Sequence, residues 1–369
     1  MSAGRRSPPD DDLFCCCEYE SELGERAHLL ACLCDCEAID ETFESTVMDR
    51  IRVPWFGGAR RVEPDVLSAV VLLPTVLLLA CHSWTVLLVT FSLLPVCLIL
   101  IHRRASKNKT RTKFFLSWTV TSLVLLLGVF HLEVVPYLEI LYSENFFLMT
   151  MVTFTCICGY LVHSNPGYVG PVAAEMVKSS NAAASCSVDF AYGEGDTCTV
   201  CQLVKPPRCS HCHFCGHCVL KRDHHCVWLD TCVGERNHRA FILGLAGLVV
   251  SLLYGSNLTL TTVCRPRTLW GTVLVPESCS EVYEDIQFVV CVDRVVSERL
   301  SLGRCSMSLC FVSAVYALLV AAPVALMLLQ QLWLVALNTT IYELRRHRIG
   351  TYSRGIWTNC KMFWFPDRR

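Results

Sequence analysis

Between residues 66 and 101 the chain carries no Asp, Glu, Lys or Arg. A run that long and that apolar constrains the fold, because backbone in hydrocarbon must satisfy its own N–H and C=O groups and does so as helix. It is long enough for two passes of about 17–20 residues, at 66–82 and 84–101, turning near Cys81-His82-Ser83. Further runs at 114–131, 146–162, 242–263 and 310–337 make six. With 53% hydrophobic and only 18% charged residues, the charges fall between these runs. One run alone can be a buried core helix, but six of them exclude an ordinary soluble protein. The expected fold is an all-α polytopic membrane protein of about six transmembrane helices.

Sidedness follows from Lys and Arg. Residues 102–113 hold six of them, whereas residues 132–145 hold Glu133, Glu139 and Glu144 and no basic residue. The basic loop is expected in the cytosol. Six spans then put both termini and residues 198–241 on that side, and Arg345, Arg346, Arg348 and Arg354 after the last span agree. The first 65 residues are acidic and polar, so no cleavable signal is expected and the first hairpin serves for insertion.

Residues 198–241 contain eight cysteines and six histidines. Cys198/Cys201 and Cys212/Cys215 have the two-residue gap of zinc knuckles, and Cys218 repeats the step. Such spacing lets thiolates and imidazoles converge on closed metal sites. Two tetrahedral ions need fewer donors than the stretch offers. In Asp223-His224-His225-Cys226 a thiol lies beside an imidazole with a carboxylate nearby. That is the make-up of an activated nucleophile, although these four residues alone fit a spare metal ligand as well.

The stretch resembles the cysteine-rich domain of the DHHC protein S-acyltransferases, or palmitoyltransferases. It matches in Cys-x2-Cys, the turn at Pro206 to Arg208, His-Cys-x2-Cys-x2-Cys, Asp-His-His-Cys, Trp228, Cys232-Val233-Gly234 and Asn237. The resemblance implies one structural zinc held by Cys198, Cys201, His211 and Cys218, and a second held by Cys212, Cys215, His225 and Cys232. It implies Cys226 as nucleophile, His224 as base and Asp223 as the group that orients it. Palmitoyl-CoA would donate a long-chain acyl group to Cys226 and then to substrate proteins with membrane-proximal cysteines. The lipid bilayer is a further partner and nucleic acid is not one. The endomembrane system, the Golgi first, is the expected residence. Two positions depart from the family pattern: Val227 stands where proline is usual and Thr231 where asparagine is usual. They touch turn geometry and leave ligands and catalytic groups in place.

Lys205, Arg208, Lys221 and Arg222 are candidates for the phosphates of coenzyme A, with attraction to anionic headgroups as the equal alternative. Cys209, His213, His217 and His238 are left over as surface or supporting residues. Asn165-Pro166-Gly167 resembles the family's Asp-Pro-Gly turn, and residues 164–197 read as a linker. Thr340 and Glu343 resemble two positions of the Thr-Thr-x-Glu element, and Gly355, Asn359 and Phe363 a C-terminal motif, within a tail at 338–369. Residues 1–65 carry Cys15-Cys16-Cys17 and Cys32, Cys34 and Cys36, which fit a metal site or S-acylated thiols equally. The loop at 264–309, lumenal on this topology, has Cys264, Cys279, Cys291 and Cys305 for disulfides, and its run 288–296 reads as strand or interfacial segment. Two other functions remain open: a non-enzymatic zinc adaptor, and a transporter with a zinc module. The spans show no acid–base pair of the kind that lines an ion path.

Overall fold

The computed structural model describes residues 18–20, 26–28, 52–54, 56, 58–108, 111–137, 141–169, 197–269, 273–278 and 302–365. The six N-terminal cysteines, residues 170–196 of the linker, Cys279, Cys291 and the run 288–296 lie outside the described residues. The chain divides into two compact units, Met1–Val71 and Leu72–Arg369. The first holds two small antiparallel hairpins, β1 (Glu18–Glu20) with β2 (Arg26–His28) and β3 (Arg52–Val53) with β4 (Arg60–Arg61). It also holds the start of helix α1 (Pro64–Ala80).

The second unit is a bundle of apolar helices with a small metal-site domain inserted between them. Helices α2 (Trp84–Asn108), α3 (Phe114–Val129), α4 (Tyr142–Ser164), α5 (His238–Val263) and α6 (Leu302–Ala336) are each part of a stretch long and apolar enough to cross a membrane. α1, at 17 residues, is the one shorter apolar helix among the described residues. A π turn over Phe130–Val134 carries α3 into Val135–Tyr137. α1 ends at Ala80 and Trp84 opens α2 after three residues, Cys81-His82-Ser83, so the two are consecutive with a tight connection. Five long membrane helices, the shorter sixth and the cysteine-rich insert make the chain a polytopic membrane protein.

α5 is the central helix, packed on α4 and α6. Small residues permit this: a Cβ at Gly247 would lie 2.6 Å from Thr155 Oγ1, and one at Gly244 3.1 Å from Cys158 Cβ. Close backbone approach gives helices dispersion contact in a solvent that supplies no hydrophobic drive between them. Further along, Phe130, Val134, Leu148, Val152, Leu258 and Cys310 form one apolar cluster. At the far end of α5, Cys264 is disulfide-bonded and the chain enters the hairpin β9 (Arg265–Leu269) and β10 (Val273–Ser278).

The insert between α4 and α5 is built from two hairpins, β5 (Ser210–Cys212) with β6 (His217–Val219) and β7 (His224–Cys226) with β8 (Thr231–Val233). Asn165 turns the chain out of α4, its Oδ1 accepting the N–H of Gly167 at 2.8 Å, and the strip that follows pairs with β6 through Tyr168 and Val219. That strip passes so close to β8 that a Cβ at Gly234 would sit 2.5 Å from Pro166 O, so only glycine fits. Asn237, fully buried, donates to Val162 O (2.7 Å) and Cys232 O (2.8 Å) and accepts from Gly234 N (2.8 Å). One amide thus joins α4, β8 and the start of α5. After α6, a short helix α7 (Ile341–Leu344) and helix α8 (Ile356–Trp364) return toward the start of α5, where Phe363 meets His238, with Trp357 and Phe365 exposed.

Candidate active site and metal centres

Each hairpin puts a histidine directly opposite a cysteine: His211 faces Cys218 across β5–β6, and His225 faces Cys232 across β7–β8. Cys198 and Cys201 precede β5 and complete one group, while Cys212, the last residue of β5, and Cys215, in the β5–β6 turn, complete the other. In each group the four donor atoms lie within 4.8 Å of one another. Cys201 Sγ is 3.3 Å and Cys218 Sγ 3.9 Å from His211 Nδ1. Cys212, Cys215 and Cys232 lie 3.8, 3.4 and 3.8 Å from His225 Nδ1. Zinc–sulfur and zinc–nitrogen bonds of about 2.0–2.3 Å in a tetrahedron require edges of about 3.5–3.8 Å, so both donor sets fit zinc. With four protein donors each, they are closed sites that supply rigidity and no open position for chemistry. Phe214 stacks on the His225 ring at 4.9 Å.

The period of a β-strand then explains the Asp-His-His-Cys spacing. Successive side chains on β7 point to opposite faces, so His225 turns toward its metal group while His224 and Cys226 share the other face. That face meets the membrane helices. Cys226, 5% exposed, belongs to an apolar cluster with Val162 of α4 and Phe241 and Leu245 of α5, flanked by Leu229, Val324, Met327 and Leu328. The His224 ring contacts Phe241 edge-on at 5.4 Å.

Asp223 precedes the strand, its N–H bonded to Val233 O, and its side chain is 0% exposed. Oδ2 accepts Nδ1–H of His224 at 2.7 Å. This leaves Nε2 of His224 buried and without a hydrogen-bond partner among the described residues. Burial opposes a charge on His224, but the Asp223 bond and the neighbouring Cys226 outweigh it and raise its pKa to about 9. Burial likewise opposes ionising Asp223, yet the His224 bond and the nearby His238, with Ile341 N–H, bring it to about 2. A carboxylate on Nδ1 and an uncommitted Nε2 suit an imidazole to take and return a proton.

Of the four basic candidates, Arg208 has its guanidinium filled. It meets both oxygens of Glu343 (2.6 and 2.7 Å) and Asn338 Oδ1 and O (both 2.9 Å), and lies over the Tyr352 ring at 4.4 Å. Arg222 donates to Ser210 Oγ and lies over the Tyr342 ring. Lys221 is half-buried, and burial lowers its pKa. Lys205 is half-exposed on the turn before Pro206. His213 and His217 are exposed, and Cys209 is half-buried against Cys198 and Cys218, its thiol pushed up to about 11 by burial.

Three further contacts belong to residues that spacing alone does not mark. The backbone N–H of Ile341 donates to Asp223 Oδ1 at 2.7 Å, and Gln331 Nε2 donates to Oδ2 at 2.8 Å. Arg111, from the basic loop, grips Asp230 with both carboxylate oxygens (2.9–3.1 Å) and its carbonyl, beside His225. A glutamine within the apolar run 310–337 is the one trace of them in the sequence, and it names no partner.

Residues 191–348 match the family model described as DHHC palmitoyltransferase. The chain is 32% identical to Palmitoyltransferase ZDHHC23 of Mus musculus and 31% identical to that of Rattus norvegicus, in each case over 96% of this chain and 94% of the relative. It is 29% identical to Palmitoyltransferase ZDHHC23-B of Danio rerio over 97% of this chain and 94% of the relative.

Proposed function

The chain belongs to the DHHC palmitoyltransferase family, and from that premise we propose which of its atoms carry the transfer. It is an integral membrane protein S-acyltransferase that uses acyl-CoA and protein substrates. Cys226 is the nucleophile, His224 the base and Asp223 the group that orients the imidazole. The observation that carries this reading is the uncommitted Nε2 of His224 on the same strand face as the Cys226 thiol, with Asp223 on the opposite ring nitrogen.

The Cys226 proton passes to His224 Nε2, and the thiolate attacks the thioester carbonyl carbon. The carbon–sulfur bond to coenzyme A breaks, and the departing thiolate takes the proton back from His224. In the second half a substrate cysteine gives its proton to His224 and attacks acyl-Cys226, and the released Cys226 thiolate recovers that proton. One thioester replaces another, so the free-energy change is small and the site acts on barriers. The apolar cluster around Cys226 suits a fatty chain, each buried methylene contributing about 0.8 kcal/mol.

Cys198, Cys201, His211 and Cys218 hold one zinc and Cys212, Cys215, His225 and Cys232 the other. Both act only by fixing β5 to β8. Lys205, Lys221 and Arg222 face the phosphates of coenzyme A. Arg208, committed to Glu343 and Asn338, supports that surface from behind. The substrate cysteines lie close to the membrane because Cys226 does. The insert and both termini lie in the cytosol and residues 264–309 in a lumen, with the Golgi as organelle. The disulfide at Cys264, on the far end of α5 from the thiols Cys209 and Cys226 of the insert, which carry no disulfide, supports that sidedness, since thiols oxidise in the lumen and stay reduced in the cytosol.

The test is incubation of the purified full chain with labelled palmitoyl-CoA. Label should attach through a hydroxylamine-sensitive bond and be lost in Cys226→Ser. Undiminished fast labelling of Cys226→Ser would sink the assignment.

A further inference from the structure

Gln331 is 0% exposed in the last third of α6, a helix otherwise suited to hydrocarbon. A primary amide there is costly unless both of its ends are bonded. Both are. Nε2 donates to Asp223 Oδ2 at 2.8 Å, and Oε1 accepts from His238 Nε2 at 2.7 Å. His238 is itself buried, at the first turn of α5, and its ring is walled by Phe363 of α8 at 5.2 Å.

The direction of the amide matters. Oδ2 of Asp223 is the same oxygen that takes Nδ1–H of His224. A donor on Gln331 reinforces that carboxylate, whereas an amide turned through half a circle would aim its carbonyl at it. The carboxylate excludes the turned state, because it can only accept, and the Oε1 end then faces His238 Nε2, which donates to it in the matching tautomer. The other oxygen, Oδ1, is held by Ile341 N–H just beyond the same helix. The carboxylate is therefore fixed at both oxygens by α6 and the segment that follows it.

We infer that Gln331, bonded at its other end to His238, is a positioning residue for acyl transfer: it fixes the Asp223 carboxylate in the plane that keeps His224 Nε2 turned to Cys226. The inference rests on the reading of Cys226, His224 and Asp223 given above. It adds a residue from the last membrane helix that touches neither acyl group nor coenzyme A.

The experiment measures single-turnover acylation of the purified full chain by labelled palmitoyl-CoA, with zinc content, in Gln331→Met, Asp223→Asn and the double variant. Loss of a hydrogen bond to a charged group predicts that Gln331→Met slows acyl-enzyme formation by about ten- to a hundredfold. The palmitoyl-CoA concentration at half-maximal rate should stay within about twofold, and adding the change to Asp223→Asn should cost less than about twofold more, because the two act as one unit. Equal losses on both backgrounds, or wild-type acylation by Gln331→Met, overturn the inference. If Asp223→Asn itself acylates like wild type, it is the reading of the site that falls. Gln331→Asn, polar but one methylene too short to reach both partners, carries the same expectations should the methionine variant lose zinc. Loss of zinc in both would make Gln331 a folding residue and refute the proposal.

Discussion

Removing Glu343 should undock the segment after α6 from the metal-site domain, and the size of the effect can be worked from its contacts. Glu343 accepts two short bonds from Arg208, and its Oε2 also accepts the N–H of Thr340, whose Oγ1 in turn caps α7 by accepting the N–H of Glu343. The side chains of Arg208 and Glu343 are 13% and 8% exposed. Taking one partner from a buried pair costs about 3–5 kcal/mol, and this slight exposure favours the lower half, about 3–4. At about 1.36 kcal/mol per tenfold, amide protons of Leu344 and Arg345, bonded to Thr340 O and Ile341 O, should exchange a few hundredfold faster in Glu343→Ala. Hydrogen exchange read by mass spectrometry over residues 339–353 is the assay. Ile341 N–H, which holds Asp223, belongs to the same segment, so acylation should fall with protection. Arg208→Ala should reproduce the change, and the double variant should be no worse than the worse single one. Additive losses, or Arg208→Ala weakening palmitoyl-CoA binding with exchange unaltered, would show that Arg208 serves the donor and refute the reasoning.

Metal analysis of the purified chain should return two zinc ions. Cys232→Ala should lose metal and folded protein, while Cys226→Ala keeps both ions; a fall from two to one in Cys226→Ala would make that thiol a ligand. Gly247→Leu drives a side chain into Thr155 and should lower stability by about 1–3 kcal/mol as overpacking does, seen as a lower melting temperature in detergent, and an unchanged melt would contradict the close α4–α5 approach. In sealed vesicles, tags at both termini and sites in residues 198–241 should be accessible from the cytosolic side and residues 264–309 protected. A protected metal-site domain would cut the enzyme off from its donor.

The sequence made the membrane helices and the metal donors legible for different reasons. Apolar runs are local, and hydrocarbon leaves a chain no choice but helix, so the long spans can be read without knowing their neighbours. The cysteine pairs are legible because chelation fixes gaps. What the gaps do not contain is handedness across a strand: that His225 turns one way and His224 with Cys226 the other is a property of β7, which only the pairing with β8 establishes. Arg208 shows the limit of reading charge by type. Its cation near the site suggests a phosphate, and nothing in the local spacing discloses that Glu343, from a segment 135 residues later, also holds it. Gln331 and Ile341 escaped for the same reason, since their roles exist only once α6 brings them to Asp223. Val227 proved compatible with its turn, where Leu229 and Asp230 N–H bond back to Cys226 O and Val227 O.

The hairpin β5–β6 sends His211 and Cys218 to one metal group and Cys212 and Cys215 to the other. Neighbouring residues on one strand thus answer to different ions, and neither group can be assembled while the hairpin is unformed. Loading should therefore be cooperative: the first ion prepays the ordering of the hairpin and the second binds more tightly for it. A half-filled chain would be scarce at equilibrium, so metal depletion in a cell would divide the population into competent and unfolded molecules and leave no pool of slow enzyme between them.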